Sequence, residues 1–209
     1  MLRRFEKLFL SLVSVAALLC VSGKMPAPLW ASSISNGGGG SATVAALFAN
    51  LNDVTATTAS SFDTLMDASP FGSATLPAGY FNSVGKTMLI KGGGTYTTTT
   101  GTQGTVTFRV AFDAGVNVAG SAGPVAWSAS QTSQPWSFWA IITTRTAGAS
   151  GLLLAGGSFK LDQSGAPIAQ DINGSVTLDT TVSHTVSIGV NLGAASQSIT
   201  ARSLVVYPF

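Results

Sequence analysis

Apolar and polar residues alternate strictly along several segments of the chain. In TVTFRVAF, residues 105–112, every second side chain is Val or Phe, and the side chains between them are mostly Thr and Arg. HTVSIGVNL, residues 184–192, repeats the pattern with Val186, Ile188 and Val190. A period of two places alternate side chains on opposite faces of a strand, so these segments predict strands with one buried and one solvated face.

The same criteria predict nine strands, separated by short segments rich in Gly, Pro, Asn and Asp. The predicted strands cover residues 59–66, 73–80, 86–97, 105–112, 136–146, 152–161, 174–180, 184–192 and 198–207. The pair Asn173-Gly174 is among the turn signals. We expect an all-β fold, an antiparallel and jelly-roll-like β-sandwich of about nine to ten strands.

The chain before residue 55 has a different character. Residues 1–31 contain a basic start and the apolar run 8–21, which predicts a signal peptide; an uncleaved anchor, a buried N-terminal apolar helix and a true start at Met25 are the alternatives. Residues 32–54 begin with the linker-like SSISNGGGGS, and residues 42–53 fit a short helix or a strand. Residues 55–209 are the predicted sandwich domain.

Charge is scarce, and this excludes several kinds of function. Only 9% of the residues are charged, whereas soluble domains average about 25%. The net charge of +2 comes from the N-terminal segment: from Met25 onward there are 6 basic and 7 acidic residues, a net charge of −1. Such a balance predicts no direct contact with nucleic acid. The single cysteine, Cys20, excludes an internal disulfide and a cysteine metal site.

Residues typical of catalysis are few, and we predict that the protein is not an enzyme. His184 is the only histidine, no G-x-S-x-G stretch accompanies it, and we expect it to be a polar surface residue. Asp162 and Asp171 could hold calcium, but turn aspartates are the favoured interpretation. The glycines of KGGGTYT, residues 91–97, predict a bulge or a close approach of a packed strand or subunit rather than a phosphate loop. No cofactor or metal is expected.

Tryptophans give the most distinctive local feature, and Trp127, Trp136 and Trp139 are the candidate ligand-binding residues. Exposed indole rings present flat apolar faces on which sugar rings can stack. In QPWSFWAIITTR, however, Trp136 and Phe138 lie on one face of the predicted strand and Trp139 lies on the other with Ile141. At least one of these two faces must be core, so packing competes with ligand binding as the role of these tryptophans.

Three groups of segments carry a resemblance to a known class of proteins. They are SATLPAGYFNSVGKTMLIKGGGTYTT followed by GTVTFRVAF, then WAIITTRTAGASGLLLAGGSFKL, and finally DTTVSHTVSIGVNLGAASQSITARSLVVYPF. Together, over residues 59–209, they resemble small β-sandwich virion proteins of bacteriophages and environmental viruses. The resemblance implies a decoration, fibre-tip or tail-associated component of a virion, and it implies no catalytic residues. The export-like N-terminus departs from that setting.

Two functions follow as expectations. The first is a virion structural protein that self-associates as a symmetric homo-oligomer, such as a trimer, and contacts other virion proteins. The second is an exported carbohydrate-binding or adhesion module, located outside the cell, whose partner is a host-surface glycan.

Overall fold

Extended strands account for almost all regular structure in the computed structural model, which describes residues 46–57, 61–99, 104–121, 123–163, 167–194 and 197–209. Within these ranges there are 14 β-strands and one 3₁₀ turn, Asp113–Gly115. In chain order the strands are β1 Phe48–Ala49, β2 Val54–Ala56, β3 Asp63–Thr64, β4 Phe71–Gly72, β5 Thr75–Leu76, β6 Thr87–Thr97, β7 Gly104–Phe112, β8 Val116–Ser121, β9 Val125–Trp127, β10 Gln134–Thr146, β11 Gly151–Leu161, β12 Ile168–Leu178, β13 His184–Leu192 and β14 Ser198–Pro208.

Every strand pair in the described residues is antiparallel. The strands follow one continuous order, β3-β13-β7-β8-β12-β11-β10-β6-β14-β1-β4, and β2, β5 and β9 pair at the sides of β14, β13 and β7. The all-β, antiparallel class is therefore confirmed. Because one path of hydrogen bonds joins all the strands, the division into the two sheets of a jelly-roll sandwich stays a prediction.

The sheet curls so that its inner face packs against itself. Phe108 on β7 lies 4.3 Å from Phe138 on β10 and 5.4 Å from Phe159 on β11, measured between ring centroids. Strands β8 and β12 separate β7 from β11 in the strand order, so these rings meet only because the sheet bends round. The rings join one cluster of buried apolar side chains, which forms the core.

The glycines of β6 make room for the neighbouring strands. A Cβ atom on Gly92 would lie 2.4 Å from the Phe138 ring, and one on Gly94 would lie 1.9 Å from the backbone oxygen of Thr200. Strand β14 has a register irregularity opposite Gly94, between Ala201 and Ser203. The expected close approach of a packed strand is confirmed for residues 91–97, and the irregularity explains why the backbones come so close there.

Several predicted boundaries are wrong, and the expected nine to ten strands become fourteen. Residues 73–80 form only the two-residue β5 before a turn that contains Pro77 and Gly79. Asn173-Gly174 is not a turn but lies inside β12, which begins six residues before the predicted start. A Cβ atom on Gly174 would lie 2.3 Å from the backbone oxygen of Val118, so this glycine admits the neighbouring strand β8.

The segment before residue 55 is partly strand. The described part of residues 42–53 contains β1 and no helix, which corrects the helical alternative for that part. Strand β1 and the first residue of β2 pair with β14. The predicted signal or anchor segment, its apolar helix and the Gly/Ser linker lie outside the described residues, and the domain boundaries stay predictions. No described helix has the length and apolar character needed to span a membrane.

We predict that substitution by alanine lowers stability clearly at one strand glycine and hardly at all at another. Gly94→Ala forces a Cβ atom against the Thr200 carbonyl and should lower the free energy of unfolding by about 1–3 kcal/mol, as overpacking does. Gly156→Ala, whose Cβ atom would meet nothing within 4 Å, should change it by less than about 0.5 kcal/mol. Urea unfolding measures both, and equal losses would contradict the packing described for Gly94.

Candidate ligand-binding face

The structure separates the three candidate tryptophans. Trp127 and Trp136 are 1% and 3% exposed, and their indole N–H groups donate to Gln197 Oε1 at 3.1 Å and to the Thr200 carbonyl at 3.0 Å. Trp139 is 44% exposed. The expected division of the strand is confirmed, with Trp136 in the core and Trp139 outside. The three rings do not share one surface, and of the three candidate residues Trp139 is the one that is exposed.

Trp139 lies in the middle of a surface that we call the outer face, formed by the outward sides of β6, β10, β11 and β12. Directly paired residues of neighbouring strands point to the same side of a sheet. Lys91, Trp139, Ser158 and Asp171 are paired in this way and form one row across the four strands. An indole ring therefore lies between polar and charged groups that can hydrogen-bond a ligand.

The next row creates an open groove beside the indole. It consists of Leu89, Ile141, Gly156 and Asn173. A Cβ atom on Gly156 would meet nothing within 4 Å, so the space above this glycine is empty. The groove has a volume of about 540 Å³ and is lined by Trp139, Ile141, Thr143 and Arg145 of β10 and by residues 154–157 of β11.

The indole face of Trp139 is available to a ligand. Among the described residues, the cation–π contacts are those of Lys86 over Tyr80 and Arg109 over Phe62, and none involves Trp139. Trp139 also makes no aromatic ring pair among the described residues. A ligand ring can therefore pack on the exposed part of this indole without displacing an aromatic ring or a cation already stacked there.

His184 is not at the surface as expected; it is 5% exposed. Its Nδ1 contacts the carboxylate of Asp113, and its Nε2 lies 2.6 Å from the backbone oxygen of Asp179. Both ring nitrogens are therefore in contact with an oxygen of the protein. Neither nitrogen is left to take a proton from a substrate, and the contact is typical of a structural link between the 3₁₀ turn and β13.

The candidate calcium ligands are not brought together. Asp162 lies just beyond β11 and pairs with Lys160 at 2.7 Å, whereas Asp171 is exposed within β12 opposite Ser158. Asp171 is thus a strand residue rather than the expected turn residue. Within the described ranges, no three acidic, histidine or cysteine side chains cluster as metal ligands.

Two parts of the site were missed from the sequence. Arg145 and Gly156 both border the groove, and the strand period counted from Trp139 already places Ile141, Thr143 and Arg145 on the exposed side. Gly156 gave no signal of its own, because only the pairing of β10 with β11 places it beside Ile141.

Comparisons with known proteins give little that bears on function. No protein-family model matches the chain, and no curated protein matches it. One solved structure is similar, the CBM2 module of the evolved Dit protein of Lactobacillus casei BL23 phage J-1. It is 12% identical, and the similarity covers 64% of this chain and 67% of that one with a TM-score of 0.23. At that TM-score the likeness carries no argument about this protein.

The Asp113–His184 contact predicts a loss of stability in acid. Burial raises the pKa of Asp113, but hydrogen bonds from His184 and the Thr185 amide, with the charge of His184, lower that pKa below its ordinary value of 3.8. A lowered folded-state pKa stabilises the fold above pH 3.8, and this contribution disappears as the pH falls through the folded pKa. Asp113→Asn should therefore lower the Tm at neutral pH and lower it less at about pH 3.

Thermal melts of the wild type, Asp113→Asn and Asp171→Asn measure this difference. The Asp171 side chain is exposed and makes no hydrogen bond or ion pair within the described residues, so its variant controls for the loss of one carboxylate. The account of the contact is contradicted if Asp113→Asn lowers the Tm equally at both pH values.

Proposed function

We propose that the chain is a non-enzymatic carbohydrate-binding adhesion module, displayed on a virion or another extracellular surface. The observation that carries the proposal is the exposed indole of Trp139 beside an open groove whose floor includes Gly156. Under this proposal the curled sheet is a rigid, jelly-roll-like scaffold that presents the outer face, and binding needs no cofactor.

The chemistry of the groove suits a saccharide. A sugar ring has an apolar face of C–H groups that packs on an indole, and hydroxyl groups around its edge that need hydrogen-bond partners. The groove offers both, because Trp139 and Ile141 are apolar while Thr143 and the neighbouring Ser158 carry hydroxyl groups. These side chains are carried by long strands, which hold them in fixed positions.

The composition supports a display role rather than catalysis. Titratable groups are scarce, and the only histidine is occupied at both ring nitrogens. The signal-like N-terminal sequence supports an extracellular setting, and the resemblance to virion proteins supports a particle component.

The direct test is glycan binding by variants of the groove. Wild-type protein should bind at least one saccharide on a broad glycan array. Trp139→Ala should reduce that affinity by about tenfold or more, equivalent to about 1.4 kcal/mol, because the indole is the apolar surface on which the sugar ring packs. Gly156→Leu should also abolish binding, because it fills the groove from an open position.

Phe71→Ala is the matched control for that test. Phe71 is an exposed aromatic residue on the same side of the sheet, on β4, and the groove lining does not include it. Its removal should leave saccharide affinity unchanged. The proposal fails if the folded wild type binds no saccharide, or if Trp139→Ala and Phe71→Ala bind as well as the wild type does.

A second candidate is a virion structural protein that acts by self-association. It is favoured by an apolar extension of the Trp139 row: Lys91 pairs with Val205, Val205 with Ala49, and Ala49 with Phe71, which is 57% exposed. Val205 and Ala49 are partly exposed. A row of such apolar side chains suits a face that packs against an identical subunit, because burying few charges there costs little.

Self-association predicts a symmetric homo-oligomer, such as a trimer, in native mass spectrometry. Phe71→Asp should shift the oligomer toward monomer, because it places a charge in the packed face. Val84→Asp, at an exposed position in the loop before β6, should not. A wild-type monomer at high concentration would rule this candidate out.

A further inference from the structure

We infer that the saccharide is acidic: the groove selects sugars that carry carboxylate or sulfate groups over uncharged sugars. This inference rests on the proposed function and names its ligand class. It is carried by two cationic side chains, Lys91 and Arg145, that border Trp139 and the groove without an acidic partner.

Lys91 is the cross-strand neighbour of Trp139. The two residues pair directly between β6 and β10, and both are exposed on the outer face. Side chains paired in this way have Cβ atoms about 5 Å apart. An anionic substituent on a sugar ring stacked over the indole therefore lies within reach of the Lys91 ammonium group.

Arg145 borders the other end of the groove. It is exposed, it lines the groove, and it is the extra residue at the register irregularity between Thr144 and Thr146. Such bulges change the direction in which a side chain points. Six residues separate it from Trp139 along β10, about 20 Å of extended strand. A guanidinium group there can hold a second acidic sugar of an oligosaccharide by a bidentate contact.

Both cations are unpaired in the described part of the chain. The ion pairs there are Lys160 with Asp162, Arg202 with Asp53, and the His184–Asp113 contact. Asp171 lies on the outer face but two strands beyond Trp139, and it does not line the groove. Arg145 is the one charged residue of the groove lining, and Lys91 lies outside that lining as the direct cross-strand neighbour of Trp139. Both charges are positive, in a chain whose residues from Met25 onward carry a net charge of −1.

The other basic side chains beyond Met25, unlike Lys91 and Arg145, contact a carboxylate or an aromatic ring. Lys160 and Arg202 each have a carboxylate nearby, Lys86 lies over Tyr80, and Arg109 lies over Phe62. Of the six basic residues beyond Met25, Lys91 and Arg145 are thus the two without such a contact in the described residues, and both adjoin the groove. A bound anion would supply the missing partner.

The test is a glycan array. It pairs each uronic-acid or sulfated oligosaccharide with an uncharged oligosaccharide that is built from the same sugar ring. The wild type should bind the acidic members about tenfold more tightly, the equivalent of one charge-assisted hydrogen bond. Arg145→Gln and Lys91→Gln should each reduce that preference, because each should weaken binding to the acidic members more than binding to the uncharged members. Arg202→Gln is the control for net charge, since it removes the same charge from a residue of β14 that already has Asp53 as its acidic partner.

Salt separates the charge effect from stacking. At about 1 M sodium chloride the Debye length falls to about 3 Å, so the preference for acidic members should shrink while stacking on Trp139 persists. Separate measurements with carboxylated and with sulfated oligosaccharides show which anion is preferred. Equal binding of acidic and uncharged members, or an acidic preference that survives both glutamine variants, overturns this inference and leaves the proposed function standing. Absence of all saccharide binding overturns the proposed function as well.

Discussion

The packing of Phe108 against Phe138 and Phe159 is the contact on which the rest of the fold depends. It joins β7 to β10 and β11 across the inside of the curled sheet, where no backbone hydrogen bonds connect them. Aromatic pairs of this kind add about 0.5–1.5 kcal/mol each beyond the burial of their area. Because the inner side of β10 is committed to this core, its alternate residues must face outward, and Trp139 is one of them.

Register connects the core to the candidate site. Phe138 pairs with Gly92, and the missing side chain at Gly92 is what allows the Phe138 ring to occupy that space. A slip of one residue would turn every side chain of a strand to the other face. The glycine therefore helps to hold Trp139 opposite Lys91. Core packing and the composition of the groove are two results of one strand alignment.

Sequence periodicity was sufficient for the long strands and for the two faces of β10, because a half-buried strand is the structure that requires such sustained alternation. It could not find β4, since two residues carry no period, and it predicted an eight-residue strand at 73–80 where only the two-residue β5 forms. It placed a turn at Asn173-Gly174, where tight packing against Val118 requires the glycine instead. The burial of His184 depends on Asp113, which lies 71 residues away, and no local pattern reports that contact.

The central claim is that the outer face around Trp139 binds a saccharide, and the most direct measurement is NMR of the indole N–H groups during titration with an acidic oligosaccharide. The account predicts that the Trp139 signal moves and saturates, while the signals of Trp127 and Trp136, whose N–H groups are hydrogen-bonded in the core, stay in place. A titration in which the Trp139 signal does not move, although the protein binds the oligosaccharide, would contradict it.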